Sequence, residues 1–141
     1  MAADLNEIAE ELIEEFSLCE DADERTQLII EIGDELDPMP EEAKLRENKI
    51  DGCVNQVWLV SQVVSGDGTK LTFQAASDGV ISRGLITILL KLCSGRSPEE
   101  ILAFDIIGFF EKLQIRITNQ RSNGLRHMIR RIQSIAEANC K

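Results

Sequence analysis

The stretch from Gln56 to Ala76 reads QVWLVSQVVSGDGTKLTFQAA, and its period decides the fold class. Gln56–Val64 is rich in Val, Leu and Trp with polar breaks, the composition of a strand. Ser65-Gly66-Asp67-Gly68-Thr69 supplies a turn, and Lys70–Ala76 alternates again through Leu71 and Phe73. Two alternating runs about a glycine-rich turn predict a β-hairpin. A short strand over Asn48–Ile50 is expected to pair at its edge, giving a sheet of about three antiparallel strands.

Helical periods lie on both sides of the hairpin. Leu5, Ile8, Leu12, Ile13 and Phe16 share one face of a helix over 4–18, with Asp4 as N-cap and Glu7 three residues on. A second helix starts near Asp23, turns Leu28, Ile29, Ile32 and Leu36 inward and stops at Asp37-Pro38-Met39-Pro40, because each proline disfavours helix in the residue before it. Pro40–Leu45 allows one more turn. After the hairpin, Ser77-Asp78-Gly79 is read as the cap of a helix ending at Cys93, with Gly95 closing it. Ser97-Pro98-Glu99-Glu100 starts a short helix, and Ile106–Leu113 forms another. The last helix is expected from Ser122 or Asn123 to Ala138, with Leu125, Met128, Ile129, Ile132 and Ile135 inward and Arg126, Arg130 and Arg131 outward. The fold class is therefore α+β: an N-terminal helical pair, a small antiparallel sheet, and C-terminal helices packed on one sheet face.

The 141 residues suit a single domain, 1–141, with 43% hydrophobic and 28% charged residues. The net charge of −10 is uneven. Residues 1–50 hold 17 acidic and four basic side chains, and 51–141 hold eight and 11. The acidic third repels nucleic acid and anionic membranes. It serves either as a solvated face or as a dock for a basic partner. No apolar run is long enough to span a bilayer, and MAADLNEIAE has neither a secretory nor a transit signature, so a cytoplasmic location is expected.

Four widely spaced cysteines, Cys19, Cys53, Cys93 and Cys140, make neither a disulfide framework nor a C-x-x-C metal pair, and His127 is the sole histidine. The carboxylates crowd exposed helix faces, and Ser65–Gly68 lacks the helix and lysine of a phosphate loop. Cys53 stands apart. Gly52 permits a tight backbone before it, and the strand behind it would hold a thiol on a loop tip. The alternative is a small hydrophobe buried at the strand's start. Trp58, inside the strand, is placed in the core.

Gly52-Cys53-Val54-Asn55-Gln56-Val57-Trp58-Leu59 resembles the G-C-x-S-x-V-W-[LV] signature of SufE-type sulfur acceptor proteins, with Asn55 where serine is usual. Ser77-Asp78-Gly79 followed by Arg83-Gly84-Leu85 resembles that family's S-D…(K/R)-G-L helix start. Phe110–Leu113 and Arg121–Leu125 resemble its F-x-x-L and R-x-x-G-L elements, so the likeness runs along nearly the whole chain. The resemblance implies an α+β sandwich similar to IscU-type cluster scaffolds. It also implies a protein that takes sulfane sulfur from a pyridoxal-phosphate-dependent cysteine desulfurase of SufS or CsdA type, stimulates that enzyme, and passes sulfur to a SufBCD-type iron–sulfur scaffold. Carried over, Cys53 is the acceptor, with Gly52, Gln56, Asp78, Arg83 and Arg121 as supporting loop and interface residues. No cofactor or metal is assigned to this chain, pyridoxal phosphate belonging to the partner, and Cys19, Cys93 and Cys140 match no motif.

Transpersulfidation needs a thiolate at Cys53. Asp51 opposes ionisation and no helix N-terminus follows, so the thiol is expected to be weakly reactive in the free protein and activated in the desulfurase complex. Lys49 and Arg46 are its nearest cations in sequence, and Arg121 could approach in space. Arg83 and Arg121 serve either to hold helix ends or to dock a partner. Asp78 is read first as a helix cap, with loop control as a second role. Two other readings stay open: a cluster scaffold, which needs about three thiols in one pocket, and a hydrolase pairing Cys53 with His127.

Overall fold

A computed structural model describes residues 4–140 except 54, 67 and 116–118, and of residues 119–123 only the backbone. Six helices and one hairpin follow in order: α1 (Leu5–Ser17), α2 (Ala22–Gly33), β1 (Val57–Gly66), β2 (Gly68–Ser77), α3 (Val80–Cys93), α4 (Pro98–Ala103), α5 (Ile106–Lys112) and α6 (Asn119–Asn139). Single 3-10 turns at Glu41–Ala43 and Arg46–Asn48 bridge α2 to the sheet.

Local chemistry sets most boundaries. Asp4 accepts from Glu7 N–H at 2.8 Å and Asp21 from Glu24 N–H at 2.9 Å, satisfying donors that a helix start otherwise leaves open. Ser97 and Glu100 form a reciprocal capping box at α4. The last helix begins at Asn119, ahead of the expected Ser122 or Asn123. Polar residues such as Ser and Asn cost a helix only tenths of a kcal/mol each, so they did not delay its start.

α3 is the axis of the molecule. Leu85, Ile86, Ile88, Leu89, Leu92 and Cys93 are all buried, and only Val80 and Lys91, in its first and last turns, are exposed, so most of its surface must be covered. It packs on α2, β2, α6 and α1. Each such Leu or Ile contributes about 1.5–3 kcal/mol through removal from water. At its crossing with α2, Gly84 lies against backbone: a Cβ there would run into the Ile29 carbonyl oxygen. Gly84 thus serves the α2–α3 contact.

The sheet has two strands, antiparallel, with Val57 opposite Ser77 and Val63 opposite Leu71. The third strand expected over Asn48–Ile50 is reduced to one bridge, Lys49 with Trp58. Two features stop it from extending. Arg46–Asn48 coils into a 3-10 turn, fixed by an Asn48 Nδ2 bond to the Ala43 carbonyl at 2.8 Å. On the other side Gly52, at φ +90°, turns the chain away. Trp58 also departs from the core position expected. Val57 and Leu59 face inward, so the pleat sends Trp58 to the other face, half-buried under Lys44, whose Nζ is 5.9 Å from the ring centroid.

Candidate functional site

The chain between Ile50 and Val57 forms a loop closed at its base by Ile50 N–H donating to the Val57 carbonyl at 2.8 Å. Ile50 and Val57 are both buried, which anchors the two ends in the core. Gly52, Cys53, Asn55 and Gln56 lie within it.

α6 forms the seat of the loop. The Cys53 thiol donates to the Gly124 carbonyl, with Sγ 3.7 Å from that oxygen. Gly52 rests on His127: a Cβ at position 52 would strike the imidazole ring. Glycine is required there twice, since φ +90° also lies in the region side chains avoid. One turn further, Arg131 Nη2 donates to the Lys49 carbonyl at 2.9 Å. Gly124, His127 and Arg131 follow i, i+3, i+7 spacing, one face of the helix. Arg131, expected to face outward, is therefore turned to the chain that enters the loop.

The far end of the loop is tied to the start of α3. Asp78 Oδ1 accepts from Gln56 N–H at 2.9 Å, and Asp78 N–H donates to the Gln56 carbonyl at 3.2 Å. Ser82 Oγ donates to Asn55 Oδ1 at 3.3 Å. Asp78 therefore does not cap α3. Gly79 is the N-cap; without a side chain it offers no capping bond, and its own N–H donates to Ser77 Oγ at 3.2 Å, while the Asp78 carboxylate is spent on the loop. Asn55 adds a contact that the sequence did not point to.

The electrostatics hold the thiol neutral. Burial, and then the charge of Asp51, push the Cys53 thiol above its ordinary range. Its neighbour at Gly124 is a carbonyl oxygen, which favours the protonated form as donor. Cys93, inside α3, is pushed up to about 12 by burial and is closed to chemistry. Cys19 and Cys140 are also free, and both thiols lie above their ordinary range. Burial and the acid groups around it raise Cys19, while a hydrogen bond with Glu99 is the main cause at Cys140. Cys53 is distinguished by its loop.

Among the site residues expected from sequence, Gly52, Cys53, Gln56 and Asp78 come together. Arg83 is turned to α2, with Nη2 3.7 Å from Asp34 Oδ1 at that helix's end. The Arg121 side chain lies outside the described residues. Among the described residues no three His, Cys, Asp or Glu converge as a metal site, and no helix is long and apolar enough to cross a membrane. The Cys53 Sγ–H bond goes to Gly124, and His127 meets the loop at Gly52.

Comparison with known proteins places the chain and its fold. A solution structure of a hypothetical protein from Thermus thermophilus superposes with a TM-score of 0.73, covering 94% of this chain and 95% of that one at 21% identity, and so shares the fold. An uncharacterized SufE-like protein of Rhizobium meliloti is 41% identical over 132 residues, 91% of this chain and 94% of the relative. Another from Rhizobium etli is 39% identical over 132 residues, 91% of this chain and 88% of the relative. The family model described as SufE, Fe-S metabolism associated domain, matches residues 10–136. With most of its length matched by that model, the chain belongs to the SufE family and is associated with Fe–S metabolism.

Proposed function

We propose that this chain, acting as a single domain over residues 1–141, is a persulfide carrier in iron–sulfur cluster assembly, with Cys53 as the acceptor. The observation that carries the reading is the loop itself: a cysteine flanked by a left-handed glycine, anchored at both ends and held by bonds that can be exchanged. The donor is a cysteine desulfurase of SufS or CsdA type, which holds the pyridoxal phosphate. The receiver is a scaffold of SufBCD type. The setting is the cytoplasm, where free thiols stay reduced.

In the transfer, the Cys53 thiolate attacks the outer sulfur of the desulfurase's cysteine persulfide. A new S–S bond forms at Cys53, the donor S–S bond breaks, and the donor cysteine leaves as thiolate. The proton lost from Cys53 must go to a base on the partner, since His127 contacts the loop at Gly52 and Asp51 opposes ionisation. Release of Sγ from Gly124 brings the thiol out of its seat and removes the burial that keeps it protonated. The retracted thiol is meanwhile shielded from oxidants. Gly52 and the Asp78–Gln56 bond set how readily the loop leaves. Arg83 acts through the α2–α3 packing, and Arg121, at the start of α6, is assigned to the partner interface.

The test is stimulation of turnover. A desulfurase given L-cysteine should release alanine faster with the wild-type chain than alone, and Cys53→Ser should abolish the increase while Cys19→Ser and Cys140→Ser keep it. Equal stimulation by Cys53→Ser would refute the carrier reading.

A further inference from the structure

A sulfur donor that reaches Cys53 must bear on the surface around its loop. The middle of α6 lies between two grooves. On one side Ile50, Asp51, His127, Arg130, Arg131 and Ser134 line a groove of about 260 Å³ that includes the loop's own residues. On the other side Ile107, Phe110, Ile115, Leu125 and Ile129 line an apolar groove of about 180 Å³, with Arg126 and Glu111 at its rim. Ile50 and Asp51 tie the first groove to the reactive loop, and Leu125 of the second follows Gly124, the residue that receives the Cys53 thiol.

Between the grooves Arg126 and Arg130 are exposed, one turn apart. Neither makes an ion pair among the described residues. Like charges at i, i+4 repel and weaken a helix. In a protein of net charge −10, acids were available to neutralise them. Instead, the basic side chains stand unpaired beside the reactive loop. Ile107, 54% exposed, leaves the neighbouring groove open to an apolar side chain.

The geometry points to this face of α6 as the docking surface for an acidic segment of the sulfur donor, carrying Asp or Glu side chains against Arg126 and Arg130 and a large apolar side chain into the groove beside Ile107. Charge complementarity selects the occupant. A second copy of this chain carries a net charge of −10 and would set that whole charge against an equal one, whereas a donor segment needs only a few acids placed at the two arginines. A basic partner is excluded by the arginines. The inference rests on the sulfur-acceptor reading only in naming a desulfurase as the partner.

The experiment measures the affinity of full-length chain for a cysteine desulfurase, using Cys53→Ser to separate binding from transfer, and sulfur uptake by mass in parallel. Arg126→Glu with Arg130→Glu should raise Kd about tenfold or more at low salt, as loss of two complementary contacts does. The wild-type Kd should rise with ionic strength and that of the variant should be nearly flat. Ile107→Ser should weaken binding without changing the salt dependence. Lys70→Glu with Lys112→Glu makes the same change in net charge elsewhere and should leave Kd within twofold. Circular dichroism checks that the surface variants fold, and Arg126→Gln with Arg130→Gln gives a milder second pair. If wild type takes up sulfur yet the arginine variants bind as tightly as wild type, the docking surface is overturned and the carrier reading stands. If binding depends on the arginines but no sulfur reaches Cys53, the surface stands and the carrier reading falls. Absence of any binding overturns both.

Discussion

Replacing Gly52 with alanine acts on the loop through two separate costs. At φ +90° a Cβ costs about 1–2 kcal/mol in backbone strain. The same Cβ strikes the His127 ring, which must turn or shift, at a further cost of about 1–2 kcal/mol for overpacking a half-buried contact. Both arise only while the loop is seated, so the sum, about 3 kcal/mol, goes into opening it. If Cys53 reacts through transient opening, its alkylation rate scales with the opening equilibrium. At about 1.4 kcal/mol per factor of ten, the rate should rise by about two orders of magnitude. The ceiling is the rate of the thiol in a short unstructured peptide. Global stability should fall by less than about 3 kcal/mol, because the loop can leave its seat without α6 unfolding. Iodoacetamide labelling, followed by intact mass with Cys19 and Cys140 replaced by serine, reads the rate. Gly52→Ala with His127→Ala should recover the steric share and leave roughly a tenfold increase. An alkylation rate within twofold of wild type in Gly52→Ala would show that the loop does not rest on His127, and the reasoning would fail.

Asp78→Ala removes the carboxylate that holds Gln56 N–H; a bond to a charged group at an exposed site is worth about 1 kcal/mol, so Cys53 labelling should rise roughly fivefold. Asp78→Asn, which keeps an acceptor, should rise less, and equal rates in all three proteins would remove Asp78 from the loop. Gly84→Ala drives a Cβ into the Ile29 carbonyl and should cost about 3 kcal/mol, lowering Tm by roughly 10 °C in a thermal melt. A Cβ at Gly124 would lie 3.5 Å from Cys53 Sγ, an ordinary contact, so Gly124→Ala should melt at or above the wild-type temperature. Because the Cys53 thiol is raised by burial and Asp51, its thiolate is scarce at neutral pH; labelling of the free protein should climb with pH through about 9 without a plateau, and a plateau near pH 8 would contradict that environment.

Much of the scaffold was legible because local chemistry sets it. The hairpin needed only its turn and its alternation, and the caps at Asp4 and Ser97 act within three residues of themselves. The site was legible in its cysteine and its glycine but not in what they touch. Gly52 and His127, Cys53 and Gly124, and Lys49 and Arg131 meet across more than 70 residues of chain, and no period in the sequence joins them. The i, i+3, i+7 stripe of Gly124, His127 and Arg131 was the available signal, adjoining the apolar stripe of Leu125, Met128 and Ile132. Asp78 shows how a local rule misleads: an aspartate just before a helix reads as a cap, yet its oxygen is taken by Gln56, 22 residues away. Trp58 shows the same for strands, where neighbouring apolar residues cannot share one face. The missing third strand was lost to a 3-10 turn and a left-handed glycine, each of which a three-residue run such as Asn48–Ile50 is too short to overcome.

The measurement closest to the central claim is the mass of the protein after incubation with a cysteine desulfurase and L-cysteine, with the modified peptide located by digestion. The account predicts one added sulfur atom on the peptide that holds Cys53, removed by reductant and absent from Cys53→Ser. Sulfur on Cys19 or Cys140 instead, or none on a protein that stimulates the desulfurase, would contradict it.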